Sequence, residues 1–588
     1  MPIVTREEPA LRSTLIRKGQ AEIARLLRGE GKHITLVVLF GALVNILMLT
    51  GPLFMLQVYD RVLPAHSFPT LINLFVLVVF LFAMMGALDW ARGRLLARLG
   101  ADFQTRLEKR VFDASIRGAA DPNREMTAHN ALRDLETIQR YYNAPVAQAW
   151  FDLPWTPLYL GVLFVFHPWL GWLATAGGAL LVTLSALTQY FTQDRLGDAS
   201  QLEIASRRLA DSLLKDIDTV TAMGMRETGF ARWRDSRHRA MAASIRATDL
   251  SGSFHSLIRT LRMLLQSTML ALGAYLVLKS EVTPGAMVAG SILMGRALAP
   301  VEQIIGGWTV WSGARNARHR LARLLGASPE PERRTELARP AARLSVEDIA
   351  ITIPGTSRPT LDMISFTLEP GEALGVIGPA GSGKTTLARA LCRNQALSSG
   401  AILLDEVELH QYEPDRLARL IGYLPRRVTF FEGTLAENIA RLEQNPDPRK
   451  VIEAAKRAGA HRMILDLPNG YETNINLHDN VLSDRQRQQI ALARALYCDP
   501  VILLLDEPDL NPASDSGASL NTVIRDLKSR DGSVVVMANS PASLAECDRV
   551  LVLDHGVQRI LGPRDDVLRR LITSANRTHP ALKKRGAA

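Results

Sequence analysis

Eight consecutive residues, Gly378-Pro379-Ala380-Gly381-Ser382-Gly383-Lys384-Thr385, fit the pattern GxxxxGK[ST]. The spacing suits a polyphosphate: the glycines let successive backbone amides curve around phosphate oxygens, Lys384 neutralises them, and the Thr385 hydroxyl ligates magnesium. The preceding run Ala373 to Ile377 reads as a buried strand and Thr386 to Leu391 as a helix, so the phosphates meet a helix N-terminus. Downstream, Leu503-Leu504-Leu505-Asp506-Glu507 sets two adjacent carboxylates after an apolar strand, a costly arrangement without a cation. The chemistry expected is phosphoryl transfer to water, in which catalysis consists of positioning and charge stabilisation. Thr385 and Asp506 would hold magnesium, Lys384 the β- and γ-phosphates, and Glu507 would polarise the attacking water. ATP and Mg2+ are the expected cofactors.

The loop lies in the C-terminal half of a 588-residue chain whose apolar content, 47%, is unevenly spread. Segments long enough for a bilayer, about 20 residues, occur only in the N-terminal half: roughly 34–56, 70–90, 149–170, 172–191, 255–278 and 285–308. The net charge is +10, but the basic residues flank the apolar runs, which argues for a membrane surface rather than nucleic acid. Arg12, Arg17, Lys18, Arg25, Arg28 and Lys32 precede the first run, and Arg92, Arg94, Arg98, Arg106, Lys109 and Arg110 follow the second. The loop between those runs carries only Arg61, so the positive-inside rule puts both termini and the long second loop in the cytoplasm. The first 33 residues are polar and the first apolar run is too long for a signal-peptide core, so no cleaved signal is expected. Cys392, Cys498 and Cys547 lack metal-ligand spacing and read as reduced thiols.

The stretches 91–148 and 192–254 keep a helical pattern with few breakers, so the spanning helices should continue into the cytoplasm. Ala131 to Glu136 and Gly224 to Glu227 read as turns suited to contacting the ATP-binding domain. A Pro- and charge-rich linker follows at Ser328 to Arg334. Beyond it, short β-rich runs (401–404, 501–505, 533–537, 550–553) alternate with helical patterns, which predicts an α/β domain with a largely parallel sheet. The expected organisation is a cytoplasmic segment at 1–33, a transmembrane domain with six spans at 34–325, a linker at 326–342, an α/β P-loop domain at 343–575 and a disordered basic tail at 576–588.

Leu482-Ser483-Asp484-Arg485-Gln486, running into Arg487 to Ala495 and then the Asp506-Glu507 strand, completes an order of motifs that resembles the ATP-binding cassette superfamily. More narrowly, Met55 to Pro64, Phe151 to Tyr159, Phe166 to Leu170 and Glu369 to Gly378 look like the permease/ATPase of Gram-negative type I secretion systems of the protease-exporting kind. The resemblance covers nearly the whole chain. It implies an exporter-type bundle of six membrane helices followed by an ATP-binding cassette domain, located in the bacterial inner membrane. It also implies a dimer working with a periplasmic adaptor and an outer-membrane channel to export an unfolded protein. Too few residues precede the first span for the N-terminal peptidase-like domain of some relatives. By the same resemblance, Gly378 to Thr386 bind one face of ATP, and Ser483, Asp484, Arg485 and Gln486 face the nucleotide of the opposite subunit.

Several positions depart from the family pattern. The glutamine expected after Tyr-Leu-Pro is Arg426, which would set a cation against a cation. The histidine expected after the strand that follows Asp506-Glu507 is Asn539, which donates a hydrogen bond but no charge. The two signature glycines are Asp484 and Arg485, and the aspartate expected near 513 is Ala513. Ile351 and Ile353 stand near the usual adenine-stacking aromatic. These changes set two readings side by side: a transport ATPase, or a hydrolysis-impaired or regulatory half that pairs with an intact paralogue.

Overall fold

The structure, a computed structural model, describes residues 9–28, 31–119, 125–329, 337–353, 358–475, 482–508, 515–539 and 541–578. The chain forms two compact units, Met1–Glu330 and Pro331–Ala588.

The first unit is helical. Six helical segments among the described residues are long and apolar enough to cross a membrane: Gly31–Ala65, Phe68–Gly118, Pro145–Phe166, Pro168–Lys215, Arg226–Leu278 and Pro284–Gly306. Large apolar side chains of the second, such as Phe75, Val76 and Phe80, point outward, as expected where lipid rather than protein covers the helix. At 1.5 Å per residue, the 52-residue helix Phe68–Ala119 is about 78 Å long, far more than the ~30 Å of a bilayer core. The spans therefore do extend as long helices, as their pattern predicts.

Two of the runs are less regular than their composition suggests. The first is interrupted by a π-helical turn at Val58–Val62, and the third by a 3-10 turn at Leu153–Trp155. In the third run Pro154 and Pro157 supply the physical reason, since neither can donate to the preceding turn. The third span also ends at Phe166 rather than 170: His167 is extended, and its Nδ1 accepts from the Trp169 amide to start the next helix. The N-terminal segment carries a helix, Pro9–Arg28, that lies against Trp308–Ala327. Gly19 and Gly326 allow that approach, because a Cβ at either would fall within about 2 Å of a backbone oxygen of the other helix. Residues 131–136, read as a turn, lie inside the helix Glu125–Asn143. Ala131 and Leu135 are buried there, and Asp134 accepts from Arg320 Nε at 2.9 Å. Of Gly224 to Glu227, Gly224 lies in a turn with Met223, whereas Arg226 and Glu227 begin the helix Arg226–Leu278.

Charged and polar residues tie the spans together. Arg92 is 3% exposed and donates to both oxygens of Asp152, at 2.6 and 3.3 Å, and to Asp89 at 2.9 Å. Asn45 Nδ2 donates to the same Asp152 at 2.7 Å, and the Tyr159 hydroxyl donates to Asn45. An interlocked set of this kind lets buried charge persist, although Arg92 Nε itself is buried without a partner among the described residues. On another helix, Asp60 in the π-turn accepts from Gly285 N at 2.8 Å and Thr283 Oγ1 at 2.6 Å, capping the helix Pro284–Gly306.

The second unit is built on strands β1 (Leu344–Ile351), β2 (Leu361–Leu368), β3 (Ala373–Ile377), β4 (Ser399–Leu404), β5 (Val407–Glu408), β6 (Ile421–Leu424), β7 (Gly433–Thr434), β8 (Asn474–Ile475), β9 (Ile502–Asp506), β10 (Ser533–Ala538), β11 (Arg549–Asp554) and β12 (Val557–Pro563). Ten of them form one sheet in the order β5-β4-β1-β2-β12-β11-β3-β10-β9-β6. The parallel sheet expected from sequence is only its core, β11-β3-β10-β9-β6. The arm is antiparallel where β1 pairs with β2 and β4, and β11 with β12. The difference has a simple cause: β1 and β2 are half-wet strands joined by a short connection, and such strands pair antiparallel. Core strands are apolar on both faces. Leu503 and Leu505 enter one hydrophobic cluster, and Ile502 and Leu504 the cluster on the opposite face.

Replacing Arg92 by Ala strands the Asp152 carboxylate and should cost about 3–5 kcal/mol, whereas Asp152→Asn, which keeps the hydrogen-bonding shape, should cost less. Thermal unfolding of the detergent-solubilised variants checks the order; equal losses would contradict the geometry.

Candidate nucleotide site

β3 leads into a tight loop and then into the helix Lys384–Leu391. The loop is shaped by contacts that tolerate no side chain. A Cβ at Gly378 would lie 2.2 Å from Leu553 O and 2.6 Å from Ser382 Oγ. Gly383 has φ +100°, and a Cβ there would strike Leu361 at 2.5 Å. Pro379, Ala380 and Gly381 form the exposed rim, while Ser382 and Lys384 are buried. Lys384 Nζ donates to Gly378 O at 2.8 Å and to Pro379 O at 3.2 Å, so its ammonium lies inside the curl of the loop. Burial pulls its pKa below the usual lysine value, an effect that Glu507 and Asp506 oppose. Ser382 Oγ is buried and has no hydrogen-bond partner among the described residues. An orphaned hydroxyl and a buried ammonium in one curl fit an anion, which resolves their otherwise unfavourable burial.

The carboxylates arrive from β9. Asp506 is 1% exposed and its Oδ1 accepts from the Thr385 hydroxyl at 3.3 Å. Burial raises its pKa, against the lowering effect of that hydrogen bond. Thr385 and Asp506 are thus adjacent, and this hydroxyl–carboxylate pair suits a hard divalent cation. The next residue, Glu507, turns out of the strand with φ +50°, and its amide donates to Met537 O of β10 at 2.9 Å. A non-glycine residue held in the left-handed region stores strain of the kind found at functional sites.

Arg426 reaches the edge of this site. Its Nε forms a 3.0 Å ion pair with Glu507 Oε2, while Glu507 Oε1 lies 4.0 Å from Lys384 Nζ. A carboxylate thus lies between two cations. Asn539 follows β10 and is exposed. Ser483 caps the helix Asp484–Leu496: its hydroxyl accepts from Gln486 N, and Gln486 Oε1 accepts from Ser483 N at 2.9 Å. Asp484 and Arg485 are exposed in the first turn of that helix. Thr386 is half-buried in the helix after the loop. Ala513 lies outside the described residues. Ile351 is fully buried in β1 and unavailable as an adenine platform, whereas Ile353 is exposed.

Tyr423 had no role in the sequence reading beyond marking Tyr-Leu-Pro. Its hydroxyl reaches Asp506 Oδ2 at 3.5 Å. The available signal was its place on β6, whose register sets Tyr423 beside Leu504. Of the cysteines, Cys547 is buried, and burial pushes its thiol up to about 12, which makes it unreactive.

Residues 34–300 match the family described as "ABC transporter transmembrane region", and residues 361–510 the family described as "ABC transporter". The chain is 39% identical over 531 residues to the type I secretion system ATP-binding protein PrsD of Rhizobium meliloti (strain 1021), covering 90% of this chain and 91% of that protein. It is 25% identical over 528 residues to the alpha-hemolysin translocation ATP-binding protein HlyB of Escherichia coli O157:H7, covering 88% and 74%. A solved bacterial Atm1-family ABC exporter with ATP bound shares the fold with a TM-score of 0.78, over 95% of this chain and 99% of that chain, at 21% identity.

Lys384→Ala removes the ammonium from the curl and should weaken ATP–Mg binding about tenfold or more; titration with a fluorescent ATP analogue measures it, and equal affinities would contradict the site. Gly383→Ala should also lose binding, with a stability loss of about 1–3 kcal/mol from the positive φ and the Leu361 clash.

Proposed function

Because the chain belongs to the ABC transporter family, as a multi-pass membrane protein that carries an ABC ATPase, we propose that it is the inner-membrane subunit of a type I secretion system and couples ATP binding and hydrolysis to export of an unfolded protein. The observation that carries this reading is 39% identity to a type I secretion ATP-binding protein across 90% of the chain. The site has the groups such work requires. Lys384 binds the β- and γ-phosphates, the loop amides from Gly378 to Thr386 cradle them, and Thr385 with Asp506 holds Mg2+. When bound, Mg2+ would supply charge neutralisation to the phosphates. Glu507 orients the attacking water, and Tyr423 steadies Asp506.

The working unit is a dimer, either of two copies or of this chain with a paralogue, joined to a periplasmic adaptor and an outer-membrane channel. In such a dimer Ser483 to Gln486 of one subunit face the nucleotide held by the other. Here Asp484 matters. A carboxylate in the first helical turn favours the helix by about 0.3–1 kcal/mol, but at ~4 Å from a phosphate charge it costs about 4 kcal/mol at an effective dielectric near 20. The exposed Asp484 and Arg485 therefore favour a second reading of the same chain, as the weakly hydrolysing or regulatory half of a heterodimer.

Deleting the gene should abolish secretion of its cargo while the cargo accumulates inside the cell; undiminished secretion would reject the export reading. Purified alone, the wild-type protein should turn over ATP slowly, below about 1 s⁻¹. The double variant Asp484→Gly/Arg485→Gly should be several-fold faster, and fast turnover by the wild type would show that the two residues do not impair the site. In a cysteine-free background, an impermeant thiol reagent applied to intact cells should label Ala65→Cys and not Thr105→Cys, as the charge asymmetry around the first two spans requires.

A further inference from the structure

The phosphate loop is flanked by two carboxylates, Asp506 and Glu507, and a nucleotide adds more negative charge. Lys384 alone cannot balance them. Its ammonium is already shared between Gly378 O and Pro379 O. Arg426 is the cation paired with Glu507, while Arg389 acts on Asp506. Arg426 is 67% exposed, its Nε is paired with the 13%-exposed Glu507, and it lies close enough to Lys384 to repel its charge. Among the described residues, neither Nη of Arg426 makes a hydrogen bond, so the side of the guanidinium fork beyond Nε is not committed. A guanidinium keeps its charge at any physiological pH and presents donors in a fixed plane that matches phosphate oxygens. The strand end that could offer another cation, after β10, carries the neutral Asn539.

We propose that Arg426 is a phosphate-binding residue of this site, that it supplies the cation for the terminal phosphate, and that Glu507 is its positioning partner. The inference rests on the nucleotide reading above and deepens it. Glu507 then serves two ends: one oxygen holds Arg426, and the other lies towards Lys384. When a terminal phosphate competes for the guanidinium, the uncommitted Nη groups can engage it while Nε keeps the carboxylate. Lying between two cations, Glu507 is placed to orient water.

The test compares nucleotides that differ only in the terminal phosphate. ADP and the non-hydrolysable AMP-PNP, each with Mg2+, are titrated into the full-length wild-type protein, Arg426→Gln and Arg426→Lys. The expected result is unchanged ADP affinity in all three, with AMP-PNP affinity lower by about ten- to a hundredfold in Arg426→Gln and partly recovered in Arg426→Lys. Residue 426 is exposed, and a melting temperature equal to that of the wild type shows that folding is intact. A structural role would move both nucleotides together. An AMP-PNP preference in Arg426→Gln equal to the wild type overturns the inference, as does faster ATP turnover in that variant, which would mean that Arg426 restrains Glu507. Failure of the wild type to bind either nucleotide rejects the underlying nucleotide reading, and the inference with it.

Discussion

The register of three parallel strands, β3, β10 and β9, is the constraint on which the nucleotide unit depends. Ile377 pairs with Ala538, and Asp506 with Met537, so the strands end together. The residues that follow, Gly378, Asn539 and Glu507, emerge at one edge, where α/β sheets bind ligands. A slip of one residue would turn Leu503, Leu504 and Leu505 to the wrong clusters and carry Asp506 away from Thr385. The hydrophobic alternation across the two clusters therefore sets the position of the carboxylates as surely as any contact within the site.

In the membrane-embedded unit the governing constraint is different. Backbone groups are satisfied within the helices, and helix-to-helix specificity falls to the few polar side chains that lipid would punish if left alone. Asn45, Arg92 and the pair Asp152 and Tyr159 come from three of the spanning segments, so their interlock fixes the relative placement of those segments. Asp60 does the same for the start of the last span through the amide of Gly285, where a Cβ would lie 2.6 Å from the carboxylate. These contacts give a physical meaning to the motifs around Tyr59-Asp60-Arg61 and Phe151-Asp152-Leu153, which in the sequence stood only as points of resemblance.

The nucleotide site departs from its family pattern in charge rather than in shape. The loop, its lysine and the hydroxyl–carboxylate pair keep the geometry a magnesium nucleotide needs. Arg426, Asn539, Asp484 and Arg485 change the field around it. Arg426 draws Glu507 into an ion pair, and Asp484 follows Ser483, whose hydroxyl is used in a capping box that stabilises its own helix.

Short-range patterns carried much of this in the sequence itself. Glycine and lysine spacing marked the phosphate loop, continuous apolar runs marked β3, β9 and β10, and the length of the apolar stretches marked six membrane spans, because each of these signals depends on neighbours a few residues away. The antiparallel arm was invisible, since strand partners are chosen by contacts across tens of residues that no local period encodes. For the same reason Ala131 to Glu136 read as a turn: only the packing of Ala131 and Leu135 and the Asp134–Arg320 pair across 186 residues show it to be a helix. Residue types could predict that Arg426 brings a cation to the site, but not which way it turns. The end of β9, and the backbone of Glu507 held at positive φ by Met537, put a carboxylate within its reach, and only the folded chain sets that distance.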